Sequence, residues 1–233
     1  MDALSLLGYS GTTVAIVFLI YCVSVRKSRP IYNDSDPLIT GKYLYKLAAV
    51  ISIVIGLLLS FILSFNVDSG ALFNYSTVAL TSLIAFLTVV AFYTDHKYRM
   101  FDRVILRIAL FVALAFGTAN LIQINSEPIT VLYAIGIMLS FSIMFVPAIG
   151  ASDSRAFMIL FAAGIPVLEP VYTYYAFAAS VALIIGYGTV SAIRNRTFNV
   201  SIPLIPYILL PFSLLSLALN LIHGVPAVLE SLG

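Results

Sequence analysis

Two acidic residues of this sequence stand where a carboxylate could do chemistry, at the ends of long apolar segments. Asp95 ends one such segment, and Asp153 stands just before another. Two carboxylates that meet in a site of low dielectric constant do not both ionise easily, so one holds a proton and the other does not. Such a pair can activate a water molecule and protonate a leaving amine, which is peptide-bond hydrolysis by an aspartyl dyad.

The segments that must position these acids are too apolar for a water-soluble domain. Of the 233 residues, 61% are hydrophobic and only 9% are charged, whereas soluble domains carry about 25% charged residues. A bilayer core about 30 Å thick needs about 20 apolar residues per helical crossing, and membrane-spanning strands would give shorter, alternating segments. We therefore predict an all-α, polytopic integral membrane protein that forms a single transmembrane domain over residues 1–233.

The apolar runs predict about eight transmembrane helices, within a range of six to eight. These runs are Leu4–Val25, Tyr43–Phe65, Leu72–Thr94, Val104–Ile124, Ile129–Pro147, Ala156–Leu168, Val171–Ile193 and Leu204–Ile222. The run Ala156–Leu168 is short, because as a helix it spans only about 20 Å. The longest polar piece, Arg26–Lys42, is predicted to be a short cytoplasmic loop.

The basic residues predict how the helices are oriented. With the N-terminus outside and eight crossings, all 12 Lys and Arg side chains fall on one side, which is the pattern of cytoplasmic loops. If Ala156–Leu168 did not cross, Arg194 and Arg196 would lie on the other side. The sequence therefore predicts a multi-pass protein of the cytoplasmic (inner) membrane, with extracytoplasmic termini and with Asp95 and Asp153 at the cytoplasmic face.

Other kinds of site find little support in the sequence. The single cysteine, Cys22, gives neither a disulfide framework nor a zinc site. We predict no metal and no cofactor, and the net charge of +2 gives no indication of a nucleic-acid partner. Taken alone, Asp153 could be a helix N-cap and Asp95 a solvated interface acid. His96 is expected to be a solvated loop residue.

The two acidic segments resemble those of the type IV prepilin peptidases, which are GxGD-type aspartyl proteases of the cytoplasmic membrane. Residues 94–102, Thr-Asp-His-Lys-Tyr-Arg-Met-Phe-Asp, resemble the family pattern T-D-x-R-x-R-x-I-P-N in register. Residues 150–155, Gly-Ala-Ser-Asp-Ser-Arg, resemble its G-x-G-D-x-K pattern, with Ser152 for the second glycine and Arg155 for the lysine. Residues 202–206, Ile-Pro-Leu-Ile-Pro, resemble a late I-P-x-x-P stretch of the family.

This resemblance implies an aspartic-type endopeptidase, a hydrolase of type IV pilus protein processing. Its catalytic residues would be Asp95 and Asp153, and the residues supporting the site would be Gly150, Ser152, Arg155, Lys97 and Arg99. The implied partner is a prepilin-like substrate, which is cut between a short basic leader and an apolar helix. We expect the leader to be read partly by Asp34, Asp36 and Asp102. Because the chain lacks a larger cysteine-bearing insert after the first helix, we expect peptidase activity without N-methylation.

Two other functional classes stay open. An inactive, prepilin peptidase-like assembly protein is one, because serine at position 152 is less permissive than the family's glycine. An ion- or proton-coupled transporter using the same aspartates is the other. Transporter sites commonly lie near the membrane midplane, whereas Asp95 and Asp153 stand near one face. Cleavage of candidate prepilins and ion flux in liposomes are the measurements that separate these classes.

Overall fold

A computed structural model describes residues 3–27, 42–65, 71–98, 101–124, 127–144, 150–197 and 202–232, and nearly all of them are helical. The described chain forms seven helices, α1 Ala3–Lys27, α2 Tyr43–Leu63, α3 Ala71–Tyr98, α4 Arg103–Ile124, α5 Glu127–Met144, α6 Ala151–Asn195 and α7 Leu204–Leu232. All except α5 are long and apolar enough to cross a membrane. The prediction of an all-α, polytopic membrane protein is confirmed.

The long helix α6 is a hairpin of two arms that meet at Glu169. The backbone there leaves the helical region, with φ 69° and ψ 157°, and prolines stand at positions 166 and 170. The rings of Phe157 and Phe177 lie 5.7 Å apart between centroids, whereas one straight helix would separate these residues by roughly 30 Å. The first arm, residues 151–168, contains the short run Ala156–Leu168. The eight predicted runs therefore correspond to eight helical segments.

Two features accommodate the tight turn of the α6 hairpin. A Cβ on Gly164 would lie 2.6 Å from Cγ2 of Thr173 in the second arm, so only glycine lets the arms approach this closely. Because Pro170 has no N–H, the carbonyl of Pro166 loses its helical donor. The side chain of Asn120 in α4 replaces that donor, since its Nδ2 lies 3.1 Å from the Pro166 oxygen.

Helix α3 is the centre of the bundle, with 83% of its apolar window buried. It contacts α1, α2, α4, α6 and α7, and its buried face carries many hydroxyl and amide groups. Thr81 shares a 2.7 Å hydrogen bond with Ser216 of α7, and Asn74 donates a 3.1 Å hydrogen bond to the Tyr9 hydroxyl of α1. In a membrane protein such polar groups belong inside the bundle, where other helices satisfy them. The first arm of α6 is buried to the same degree, from Ala156 to Leu168.

The helix succession brings the basic residues to one end of the bundle, here named the basic end. Arg26 closes α1, Lys42 caps α2, Lys97 lies in the last turn of α3, and Arg103 opens α4. Because α6 doubles back, Arg155 in its first turn and Arg194 in its last turn also reach this end. This geometry agrees with the one-sided charge pattern. The opposite end holds the start of α5 and the turn at Glu169.

Candidate active site

Asp95 lies in the last turn of α3 at the basic end, and it is only 5% exposed. Its Oδ2 atom accepts a 3.2 Å hydrogen bond from the backbone N–H of Ile205, at the beginning of α7. The first N–H groups of a helix have no partner inside that helix. Pro203 and Pro206 lack an N–H altogether, so the α7 terminus has few such groups, and the one on Ile205 serves Asp95. The alternative interpretation of Asp95 as a solvated interface acid is therefore wrong.

Asp153 lies in the first turn of α6, where Gly150 is the N-cap residue. Its carboxylate accepts a hydrogen bond from the backbone of Gly150, which is the third-residue half of a capping box. Asp153 is half-buried. It therefore helps to begin α6, although as its third residue and not as its N-cap.

The structure brings the two aspartates close enough for their charges to repel each other. They come from helices α3 and α6, and α7 contributes the N–H that one of them accepts. Three helix ends thus converge on one acidic pair. Two carboxylates that repel each other at the edge of a low-dielectric bundle do not both ionise easily, so one member can be ionised while the other is neutral. This charge state is the one that acid–base hydrolysis requires.

Helix termini act on the charge of both members of the pair. From helix direction alone, Asp95 at a helix C-terminus is expected to hold the proton and Asp153 at a helix N-terminus to be ionised. The structure reverses the first half of that argument, because the N-terminus of α7 abuts Asp95. A backbone N–H donor and the positive end of a helix both favour the ionised carboxylate. Asp153 has the same two features at the beginning of α6, so these features do not by themselves distinguish the two acids. With Asp95 ionised, its negative charge disfavours a second charge on Asp153.

The glycine pattern around Asp153 has a geometric reason. A Cβ on Gly150 would lie 3.0 Å from Oδ2 of Asp153, so the missing side chain leaves room for the carboxylate. Ser152 lies inside the first turn of α6 and is not among the described non-glycine residues with positive φ. The backbone at position 152 therefore needs no glycine for its conformation.

The basic residues expected to support the site differ in burial and in the groups that they interact with. Arg155 is half-buried in the first turn of α6, and its charge interacts with those of Arg103 and Arg107 in α4. Lys97 is exposed, and its ammonium group donates a 2.9 Å hydrogen bond to the Tyr93 hydroxyl. Arg99 lies outside the described residues.

Asp102 differs from the exposed, leader-reading acid that the sequence suggested. It is 1% exposed, and its Oδ1 atom accepts a 2.7 Å hydrogen bond from the backbone N–H of Val104. Asp102 is thus a buried cap at the beginning of α4, where a solvent-exposed contact to a leader is not available. Asp34 and Asp36 lie outside the described residues, so their role in leader binding stays a prediction.

An aromatic cluster beside Asp95 was not predicted from the sequence. His96 is half-buried in α3, and its Nε2 atom lies 3.3 Å from the Tyr207 hydroxyl of α7. The rings of Phe92 and Tyr187 also contact His96, at centroid distances of 5.8 and 5.7 Å. The expectation of a solvated loop histidine is therefore wrong. The cluster joins α3, α6 and α7 next to the acidic pair, and such long-range ring contacts leave no local sequence signal.

Comparison with known proteins gives no further guide to this site. No family model, no curated protein and no solved structure matches the chain. Within the described ranges, no group of three or more His, Cys, Asp and Glu side chains could hold a metal ion. The chemistry of the site has to be argued from its own residues.

Proposed function

We propose that this protein is a membrane-embedded aspartyl endopeptidase, with Asp95 and Asp153 as its catalytic pair. The observation that carries the proposal is the convergence of these two carboxylates at one end of an all-helical membrane bundle. Acidic side chains at membrane depth are costly, and they mark functional sites by default. The burial of Asp95 beside a second acid fits a site that must hold one proton and one negative charge.

In the proposed reaction, the ionised Asp95 removes a proton from a water molecule. The resulting hydroxide attacks the carbonyl carbon of the scissile peptide, whose oxygen becomes negatively charged. Asp153 gives its proton to the amide nitrogen, the C–N bond breaks, and the carbonyl re-forms as a carboxylic acid. The pair ends with its proton on Asp95, and an exchange of protons with water restores the starting state.

We propose a prepilin-like substrate, with a basic leader followed by an apolar helix that is cut at the cytoplasmic side of the inner membrane. The basic end of the bundle is the end that the one-sided Lys and Arg pattern predicts to face the cytoplasm. A substrate helix could lie in the bilayer beside the bundle while its leader reaches the aspartates. This substrate class rests on the resemblance of residues 94–102 and 150–155 to prepilin peptidase motifs.

The test is cleavage by the purified protein in liposomes, with prepilin-like substrates as probes and mass spectrometry to locate the cut. We expect a cut between leader and helix by the wild-type protein, and none by Asp95→Asn or Asp153→Asn. Absence of cleavage of every candidate by a folded wild-type protein would instead support a non-catalytic assembly role.

A proton- or ion-coupled transporter is the second candidate, favoured by the burial of Asp95 beside another acid. Buried carboxylates that share a proton also occur in proton relays of pumps and transporters. The same liposomes, loaded with a pH-sensitive dye, test this candidate. Proton flux that both Asp→Asn variants abolish, without any peptide cleavage, would favour transport over hydrolysis.

A further inference from the structure

Three arginines from two helices converge at the basic end, outside the acidic pair. Arg103 opens α4, and Arg107 lies one turn later on the same helix face. Both are exposed, while Arg155 of α6 is half-buried. The guanidinium group of Arg155 lies within electrostatic range of the other two. Like charges at this range repel one another, so the arrangement is unfavourable unless an anion joins it.

Arg155 is also left with an unsatisfied donor. Its Nη1 atom is buried and has no hydrogen-bond partner, and a buried donor without a partner is costly, more so when it carries charge. Asp102, which directly precedes Arg103 in the chain, uses Oδ1 to cap α4, and its Oδ2 atom has no hydrogen-bond partner either. Asp102 therefore does not satisfy the free guanidinium N–H.

We propose that Arg103, Arg107 and Arg155 form a binding site for the phosphate group of an anionic phospholipid. A guanidinium group can give two parallel hydrogen bonds to phosphate oxygens, which makes arginine well suited to this group. Basic pockets between transmembrane helices on the cytoplasmic side bind anionic head groups. The site uses neither aspartate of the pair, although it shares Arg155 with the residues that the prepilin peptidase resemblance implies as support for them.

The surface next to the arginines favours a lipid over a soluble phosphate ion. Phe111 follows Arg107 by one further turn of α4 and is 73% exposed. Val104, beside Arg103, is 37% exposed. In the bilayer this helix face would present arginines at head-group depth and apolar side chains below them. A diacyl lipid matches this arrangement, because its phosphate would lie beside the arginines and its acyl chains beside the apolar side chains.

Lipid binding to the purified full chain in detergent micelles tests the proposal, with native mass spectrometry to count bound lipids. The probes are phosphatidylglycerol, phosphatidylcholine and inorganic phosphate. We expect the wild-type protein to retain phosphatidylglycerol in preference to phosphatidylcholine. The double variant Arg103→Gln/Arg107→Gln should bind phosphatidylglycerol roughly 10- to 30-fold more weakly. Both side chains are exposed, so circular dichroism should show unchanged helix content.

The matched control is Arg26→Gln/Arg194→Gln, which removes the same charge from exposed positions at the same end. It should retain phosphatidylglycerol within about threefold of wild type, because a site of defined residues is left intact. An equal loss in both double variants would mean general attraction to a basic surface and would overturn the proposal. Equal retention of the two lipids would also overturn it. Binding of inorganic phosphate without retention of either lipid would assign the arginines to a soluble anion, and it would overturn the proposed lipid site.

Discussion

The two ends of the helical bundle place their acidic side chains in different surroundings. At the basic end Asp95 and Asp102 are almost completely buried, and Asp153 is half-buried. At the opposite end Glu127 and Glu169 are exposed. Among the described residues, three carboxylates at the basic end each lie at the N-terminus of a helix, where a backbone N–H is available: Asp95 at α7, Asp102 at α4 and Asp153 at α6.

This difference teaches what allows an acid to be buried in a membrane protein. The cost of removing a carboxylate from water is offset only when donors are already in place. Helix N-termini supply such donors, since their first N–H groups are otherwise unpaired. The basic end gathers the N-termini of α4, α6 and α7, and it holds acids inside the bundle. Glu127 also lies in the first turn of a helix, α5, but it is exposed, so a helix N-terminus permits the burial of an acid and does not by itself cause it. The predictions below test whether function follows this asymmetry.

The largest effect should come from removing a carboxylate of the pair. Asp95→Asn and Asp153→Asn should each lower the rate of prepilin cleavage by at least about 10²-fold, the usual scale of general acid–base catalysis. Glu127→Gln and Glu169→Gln, at the opposite end, should leave the rate within about twofold. Initial rates with equal amounts of folded protein measure this. A similar loss of cleavage rate in the variants of both ends would contradict the functional difference between the ends and the proposed catalytic site.

A smaller difference is expected between the two members of the pair. If Asp95 is the ionised base and Asp153 the proton donor, Asn at position 153 can still donate a hydrogen bond to the leaving group. Asn at position 95 cannot accept a proton from water. Residual cleavage by Asp153→Asn should therefore exceed that by Asp95→Asn, by about 10-fold. If Asp95→Asn instead retained more cleavage than Asp153→Asn, the hydrogen bond from Ile205 would not determine which aspartate is the base. The proposal that both aspartates are catalytic would still stand.

The sequence predicted the bundle well, because hydropathy and charge report directly on the bilayer. The one-sided arginines even required the short run Ala156–Leu168 to be a separate segment, and the structure supplies the turn at Glu169. The pair of aspartates was predicted from local motifs. The sequence did not predict contacts between distant residues, such as the hydrogen bond from the Ile205 N–H to Asp95, because no periodicity of the sequence encodes them. The cap at Asp102 had a local signal, an aspartate directly before a helix.

A moderate effect should follow from filling the space beside Asp153. In Gly150→Ala the new Cβ would stand 3.0 Å from Oδ2 of Asp153, so the carboxylate must shift by a few tenths of an ångström. Because catalysis is sensitive to small misplacements, we expect a roughly 3- to 10-fold lower cleavage rate. Gly11→Ala is the control, since a Cβ there meets nothing within 4 Å. Equal rates for both variants would mean that Asp153 has freedom to move.

The smallest effect concerns the opposite end, where Glu169 has a backbone conformation that favours glycine. Its φ of 69° with ψ of 157° falls in a region that only glycine adopts without strain, and other residues there cost of order 1–3 kcal/mol. Glycine also raises the conformational entropy of the unfolded chain, which lowers this gain in stability by about 0.5–1 kcal/mol. Glu169→Gly should therefore raise the free energy of unfolding in mixed micelles by about 1 kcal/mol, without changing the cleavage rate.

Glu169→Ala separates the backbone from the charge, because it removes the carboxylate and keeps the Cβ. It should leave the free energy of unfolding within about 0.5 kcal/mol of wild type. Stabilisation by alanine equal to that by glycine would assign the effect to the carboxylate, and destabilisation by glycine would contradict the strained turn. Since the turn closes the hairpin that returns α6 to the basic end, the Tyr187–His96 contact should persist in both variants. The acids at the two ends would then differ in kind, with a catalytic pair at one and a dispensable carboxylate at the other.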